Sequence, residues 1–211
     1  MRTHGEFKRF SRRSLLRAAA AATAFSIVPR NALGGAGNVA PGEKVNMAFI
    51  GTGWQGMWNM NTFLKMPDVR VVAVCDVNEE GQYLGRGVAG REPARRAVEE
   101  YCAKESSGSG KGCAAYRDFR QMLDERNDID AVVITTPDHI HAPAAMAAIK
   151  KGIHVFCEKP LAHTLVEVRT MTEAARKAKI ATQLGNWGHA SEGIRLVCEW
   201  IWDGAIGAIR E

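Results

Sequence analysis

Three short runs in this chain combine residue types and spacings that chemistry can use: Gly51-Thr52-Gly53-Trp54-Gln55-Gly56, Thr135-Thr136-Pro137-Asp138-His139-Ile140-His141 and Cys157-Glu158-Lys159-Pro160. Glycines spaced as in the first run permit a tight turn and a close approach of main-chain N–H groups to a pyrophosphate, whose charge the start of a following helix favours. A glycine-rich turn without a ligand is the plain alternative, and the neighbouring elements decide between the two. In the third run a carboxylate and an ammonium group directly follow an apolar stretch and are fixed by proline. Core packing has no use for them there. Here the plain alternative is a surface ion pair beside a turn.

Strands are expected over residues 45–50, 69–75, 131–135, 154–157 and 180–184, all rich in Val, Ile and Ala and lacking polar alternation. Strands covered by helices on both faces read this way, and their alternation with helix-period segments predicts an α/β fold of the Rossmann-type, a doubly wound parallel sheet. The glycine run follows the first strand and opens a helix with Met57, Met60 and Leu64 on one face. Asp76 ends the second strand, twenty positions beyond Gly56. A carboxylate at that place accepts hydrogen bonds from the adenosine ribose and repels a 2′-phosphate, so the cofactor reading is NAD rather than NADP; an Asp capping a turn is the alternative. The other two runs lie at the carboxyl ends of strands, the edge where open α/β sheets bind ligands.

Helix signals complete the frame. Leu165, Val168, Met171, Ala175 and Ala178 share a face behind the capping box Thr164-Leu165-Val166-Glu167. Asp138 is expected to cap an alanine-rich helix that runs to Lys151 and stops at Gly152, and Ile194, Val197, Cys198 and Ile201 mark a last helix ending near Gly204. Between Glu79 and Tyr116 the pattern weakens into a glycine-rich stretch, a charged helix around residues 95–104 and a Ser/Gly linker, which is read as a peripheral excursion. Of the five cysteines, Cys75 and Cys157 lie in apolar runs and read as small buried hydrophobes, while Cys102 and Cys113 flank the linker and could bridge in an oxidising compartment. No C-x-x-C pairing occurs, which argues against a zinc site, and no metal is expected.

The chain has 211 residues, 46% of them hydrophobic, enough for a sizeable core. Its formal charge of +5 comes from the beginning: Arg2, Lys8, Arg9, Arg12, Arg13, Arg17 and Arg30 lie within residues 1–36 against Glu6 alone, and the rest is near neutral. The basic balance therefore reports a targeting segment and not a nucleic-acid surface. Paired Arg12 and Arg13, an uncharged stretch from Ala18 to Val28 and small residues around Ala32 to Ala36 describe a twin-arginine signal peptide over 1–36, too short in its apolar part for a stable membrane span. An uncleaved tail is the alternative. This reading implies a periplasmic or secreted protein that acquires its dinucleotide before export, with a linker over 37–42.

Taken together, Gly51-x-Gly53-x-x-Gly56, Asp76, the Thr-Pro-x-x-x-His run from Thr136 to His141, and Glu158-Lys159-Pro160 resemble the Gfo/Idh/MocA oxidoreductases (glucose-fructose oxidoreductase, inositol dehydrogenase, rhizopine catabolism) across about residues 43–211. The resemblance implies an NAD-binding domain over 43–188 and a helix over 189–211 that leads to a second α/β, open-sheet substrate domain, which is expected to be missing from this chain. It also implies that Lys159 lies near the nicotinamide, orients a substrate hydroxyl and assists its proton transfer, with Glu158 contacting the cofactor. Thr135, Thr136 and Pro137 would line the nicotinamide pocket. His141 matches the family's loop histidine, either in chemistry or in helix packing. Asn186 and His189, after the last strand, are candidates for cofactor and for substrate or catalytic contact.

The expected function is NAD-dependent hydride transfer to or from a carbohydrate or polyol, with the full-length form a homo-oligomer. An NAD-retaining glycosidase or lyase of the same superfamily stands as the alternative, and a non-catalytic NAD-binding fragment as a third reading.

Overall fold

The computed structural model describes residues 39–83, 85–104 and 112–208. The chain divides after Pro41, and every strand and α-helix among the described residues lies in the unit that begins at Gly42. The proposed signal segment, residues 1–36, lies outside the described residues, as does the Ser/Gly stretch at 105–111.

Six strands form one parallel sheet: β1 (Val45–Ile50), β2 (Val69–Cys75), β5 (Ala114–Tyr116), β6 (Ala131–Ile134), β7 (His154–Glu158) and β8 (Thr182–Gly185). Their order across the sheet is β5-β2-β1-β6-β7-β8. This is the doubly wound pattern, with its reversal between β1 and β6, the place where such sheets bind ligands. A separate antiparallel hairpin pairs β3 (Gly81–Tyr83) with β4 (Gly87–Ala89). The helices are α1 (Trp54–Phe63), α2 (Arg91–Lys104), α3 (Phe119–Glu125), α4 (Asp138–Lys150), α5 (Leu165–Ala178) and α6 (Glu192–Trp202).

The core lies on both faces of the sheet, as its strand sequences require. On one side Ile50, Val72, Val132, Ile134 and Val155 pack with Ala144, Ala145 and Ala148 of α4 and with Met122 and Leu123 of α3. On the other, Phe49, Val74 and Val133 meet Met60 and Leu64 from the α1 end and Ala94 and Val98 of α2. Alanines in α4 let the helix approach the sheet closely, and burial of each large side chain such as Phe49 contributes about 1.5–3 kcal/mol.

Several local expectations need correction. Pro137, with extended backbone (φ −56°, ψ 148°), caps α4, and Asp138 is its first helical residue, its Oδ1 accepting from the His139 N–H at 2.9 Å. The strand expected over 131–135 stops at Ile134, because the Thr135 side chain turns toward the glycine loop. The strand expected over 180–184 is shifted to Thr182–Gly185, since Lys179 takes a left-handed conformation (φ 56°) that ends α5 and delays re-entry into the sheet. Gly152, at φ 75°, does stop α4. The capping box at Thr164 and Glu167 is present in full.

The segment read as a peripheral excursion is more than that: it contains the hairpin, the whole of α2 from Arg91 and the edge strand β5. Cys102 and Cys113 are free thiols, the first exposed and the second buried. Among the described residues no helix is long and apolar enough to cross a membrane, and no group of three or more His, Cys, Asp or Glu side chains is placed to hold a metal ion.

Candidate active site

The glycine loop leaves β1 and enters α1 at the reversal of the sheet. Gly51 sits at φ +87°, and a Cβ there would lie 2.7 Å from the backbone of Thr135 and Thr136, so the turns after β1 and β6 touch main chain to main chain. Gly56 is tighter still: a Cβ would come within 2.0 Å of the Gly51 carbonyl oxygen. The Thr135 hydroxyl donates to that same carbonyl. Gly53 caps α1 without a side-chain hydrogen bond, which leaves the first N–H groups of the helix available to an anion.

Asp76, at the end of β2, fastens the loop from the other side. Its Oδ2 accepts from the Thr52 N–H at 2.7 Å and its Oδ1 from the Asn78 N–H at 2.9 Å. The turn-capping role and the ribose role are therefore compatible, because each carboxylate oxygen retains a further lone pair. Burial, and next to it the negative charge of Asp76, pushes the neighbouring Cys75 thiol up to about 12.

Glu158, at the end of β7, is buried and its carboxylate is oriented by three contacts. Its Oε1 accepts from Asn59 Nδ2 at 3.0 Å, and its Oε2 from the Lys159 N–H at 3.2 Å. Gly185 of β8 lies against it so closely that a Cβ would approach within 2.7 Å of the carboxyl carbon. Asn59 is itself held by Gln55, whose Nε2 donates to Asn59 Oδ1 at 3.1 Å. A chain Gln55–Asn59–Glu158 thus joins the nucleotide-loop helix to the Glu-Lys-Pro turn. The Lys159 side chain is exposed and has no ion-pair partner among the described residues, so its ammonium group stands free at the sheet edge.

His141 is buried on α4, with Nδ1 2.7 Å from the Pro160 carbonyl oxygen and Nε2 2.8 Å from that of Thr136. Both partners are carbonyl oxygens, so each contact is a hydrogen bond only where the facing ring nitrogen carries a proton, and the ring lies between the two chemistry turns. The hydroxyls of Thr52 and Thr136 are buried and lack a hydrogen-bond partner among the described residues, as does Asn46 Oδ1.

The structure thus brings the segments that carry Gly51 to Gly56, Asp76, Thr135, Thr136, Pro137, His141, Glu158 and Lys159 to the carboxyl edge of the sheet. Asn186 and His189 are placed differently. Both are exposed in and beside a short 3₁₀ turn (Trp187–Ala190) after β8, and neither side chain makes a hydrogen bond or ion pair among the described residues. Sequence reasoning passed over Asn59, over Tyr83, which packs on Gly53, and over Arg86, whose guanidinium lies 4.2 Å from the centre of the Trp54 ring. Only Asn59 left a signal, as a polar residue one helical turn beyond Gln55 on a helix that otherwise buries Met60.

The glycine cradle and the uncapped start of α1 fit a dinucleotide. Comparison with known proteins agrees. Residues 45–186 match the family described as "Oxidoreductase family, NAD-binding Rossmann fold". The chain is 34% identical over 150 residues to a "Glycosyl hydrolase family 109 protein" of Stenotrophomonas maltophilia (strain K279a), covering 70% of this chain and 29% of that one. Among solved structures it resembles an NAD binding oxidoreductase from Klebsiella pneumoniae at 27% identity and a TM-score of 0.54, over 78% of this chain and 40% of the other. It also shares its fold with scyllo-inositol dehydrogenase from Lactobacillus casei, solved with NAD(H) and scyllo-inositol, at 22% identity and a TM-score of 0.58, over 79% and 43% of the two chains. The chain therefore spans less than half the length of each of these three proteins. With the cradle, the sheet order and the family match in agreement, this chain belongs to the Gfo/Idh/MocA oxidoreductase family and carries its NAD-binding Rossmann domain.

Proposed function

We propose that this chain is the nucleotide-binding part of an oxidoreductase that moves hydride between NAD and a hydroxyl-bearing carbon of a sugar, polyol or glycoside. The observation that carries the reading is Asn59 locking buried Glu158 beside the nucleotide loop, which leaves Lys159 free at the same sheet edge. When bound, NAD supplies the hydride acceptor or donor. The chain's own residues do the rest. N–H groups of the Gly51–Gly56 turn hold the diphosphate, Asp76 accepts from the adenosine ribose, and Thr136 with Pro137 walls the nicotinamide side. Glu158 contacts the cofactor and fixes the turn, His141 sets the distance between the two turns, and Lys159 orients the substrate hydroxyl and moves its proton. Asn186 and His189 are assigned to substrate or cofactor contact from the β8 side.

Two measurements test this reading. Calorimetry with NAD is expected to show binding that Asp76→Ala weakens at least about tenfold, a loss of roughly 1.4 kcal/mol. In the full-length form, NADH absorbance during incubation with polyols and sugars is expected to rise, and not to rise in its Lys159→Met variant. Absence of heat with NAD overturns the whole reading, and NAD binding by the full-length form without turnover on any polyol assigns it to a non-catalytic role. A second reading is favoured by the Stenotrophomonas relative, named as a glycosyl hydrolase: cleavage of a glycoside with the NAD pool unchanged would support it.

The segment 1–36 supports an export role, with the protein reaching the periplasm or exterior by the twin-arginine route. Cell fractionation of an Arg12→Lys, Arg13→Lys variant is expected to find it retained in the cytoplasm. Association of the full-length form into a homo-oligomer belongs to the same proposal, and light scattering reads it.

A further inference from the structure

The β3–β4 hairpin played no part in the sequence-based site, yet it is fastened to the nucleotide loop at three points. The Gly90 N–H donates to the Thr52 carbonyl at 2.9 Å. Tyr83 packs on Gly53, where a Cβ would come within 3.1 Å of the phenol oxygen. The guanidinium of Arg86, in the hairpin turn, lies 4.2 Å from the centre of the Trp54 ring. Trp54 is the first residue of α1, so this cation stands beside the helix start that offers N–H groups to an anion.

The neighbouring arginines are committed elsewhere. Arg91 pairs with Glu79, Arg95 with Glu92 and Glu99, and Arg96 with Glu80. Arg86 is exposed and has no ion-pair or hydrogen-bond partner for its guanidinium among the described residues. Stacking on an indole occupies the face of a guanidinium and leaves its N–H groups, which lie in the plane, free to donate. That fork matches two phosphate oxygens.

We propose that Arg86 closes the dinucleotide site from the hairpin side, its guanidinium seated on Trp54 and donating to the pyrophosphate of bound NAD. The hairpin is then a phosphate clamp whose hold on the loop comes from Tyr83 and Gly90. The inference rests on the family's NAD binding, and it adds a cation that neither the glycine pattern nor the fold assigns.

Calorimetry of the full chain with NAD, ADP-ribose and adenosine, each at low and high salt, tests it in the parent protein, Arg86→Gln and Arg86→Lys. Arg86→Gln is expected to bind NAD and ADP-ribose about tenfold more weakly or worse, with a shallower salt dependence, and to bind adenosine as the parent does. Arg86→Lys recovers part of the loss, since it keeps the charge without the fork. Equal affinity of Arg86→Gln and the parent for NAD overturns the clamp while leaving NAD binding intact. An equal loss for adenosine assigns Arg86 to packing and also overturns it. A parent protein that gives no heat with NAD overturns the nucleotide reading itself and the clamp with it.

Discussion

A single missing Cβ is what lets the nucleotide loop close. Gly56→Ala would place a methyl group within 2.0 Å of a backbone carbonyl oxygen, and backbone cannot swing aside as a side-chain tip can. We expect this variant to lose about 1–3 kcal/mol of stability, the range for overpacking, and most of its NAD affinity. Gly42→Ala, where nothing lies within 4 Å, is the matched control; urea unfolding and calorimetry on both variants check the pair. Asn59 is the second residue of this kind. Replacing it with Leu leaves the buried Glu158 Oε1 without its donor, which is expected to cost about 1–3 kcal/mol and to weaken NAD binding along with stability. At this scale the glycines and Glu-Lys-Pro were legible because each is a local pattern. Asn59, Tyr83 and Arg86 were not, since the partner of the first is 99 residues away and the other two sit in an irregular hairpin whose contact with the glycine loop only the fold creates.

Helices and strands show where local signals suffice. Thr164 and Glu167 bond each other's backbone, and the box alone locates the start of α5. Thr164→Ala is expected to lower the unfolding free energy by about 0.5–2 kcal/mol while leaving NAD affinity unchanged, because α5 carries none of the groups assigned to the cofactor. Thermal melts with and without NAD separate the two effects. Long apolar strands were equally readable. The three-residue strand β5 and the seven-residue helix α3 were not, being too short for periodicity to register. Their place in the sheet comes from pairing with β2 and from packing beneath α4.

Across the whole molecule, the buried thiols link the fold to pH. Burial is the first cause holding Cys75, Cys113 and Cys157 at about 12, against an ordinary 9.0. Neutral thiols are favoured in the folded state, so their stabilisation is complete below about pH 9. It is lost as pH rises toward 12, where the unfolded chain ionises first. The unfolding free energy from urea titrations is therefore expected to fall above pH 9, by up to about 1.4 kcal/mol per thiol for each pH unit, and a Cys113→Ala variant should show a shallower decline. Exposed Cys102 is expected to react with a thiol reagent in the native state, while these three become reactive only on unfolding.

The sequence by itself determined the parallel α/β class, the glycine turn, the acidic residue after β2 and the lysine after β7, because apolar runs, glycine spacing and strand-end charges are written in consecutive residues. Tertiary structure alone decided that His141 bridges two turns, that Asn59 holds Glu158, and that a hairpin from an irregular, glycine-rich stretch lies on the nucleotide loop. These are meetings between distant segments, and the chain's own order carries no distance between them until the sheet brings its carboxyl ends to one edge.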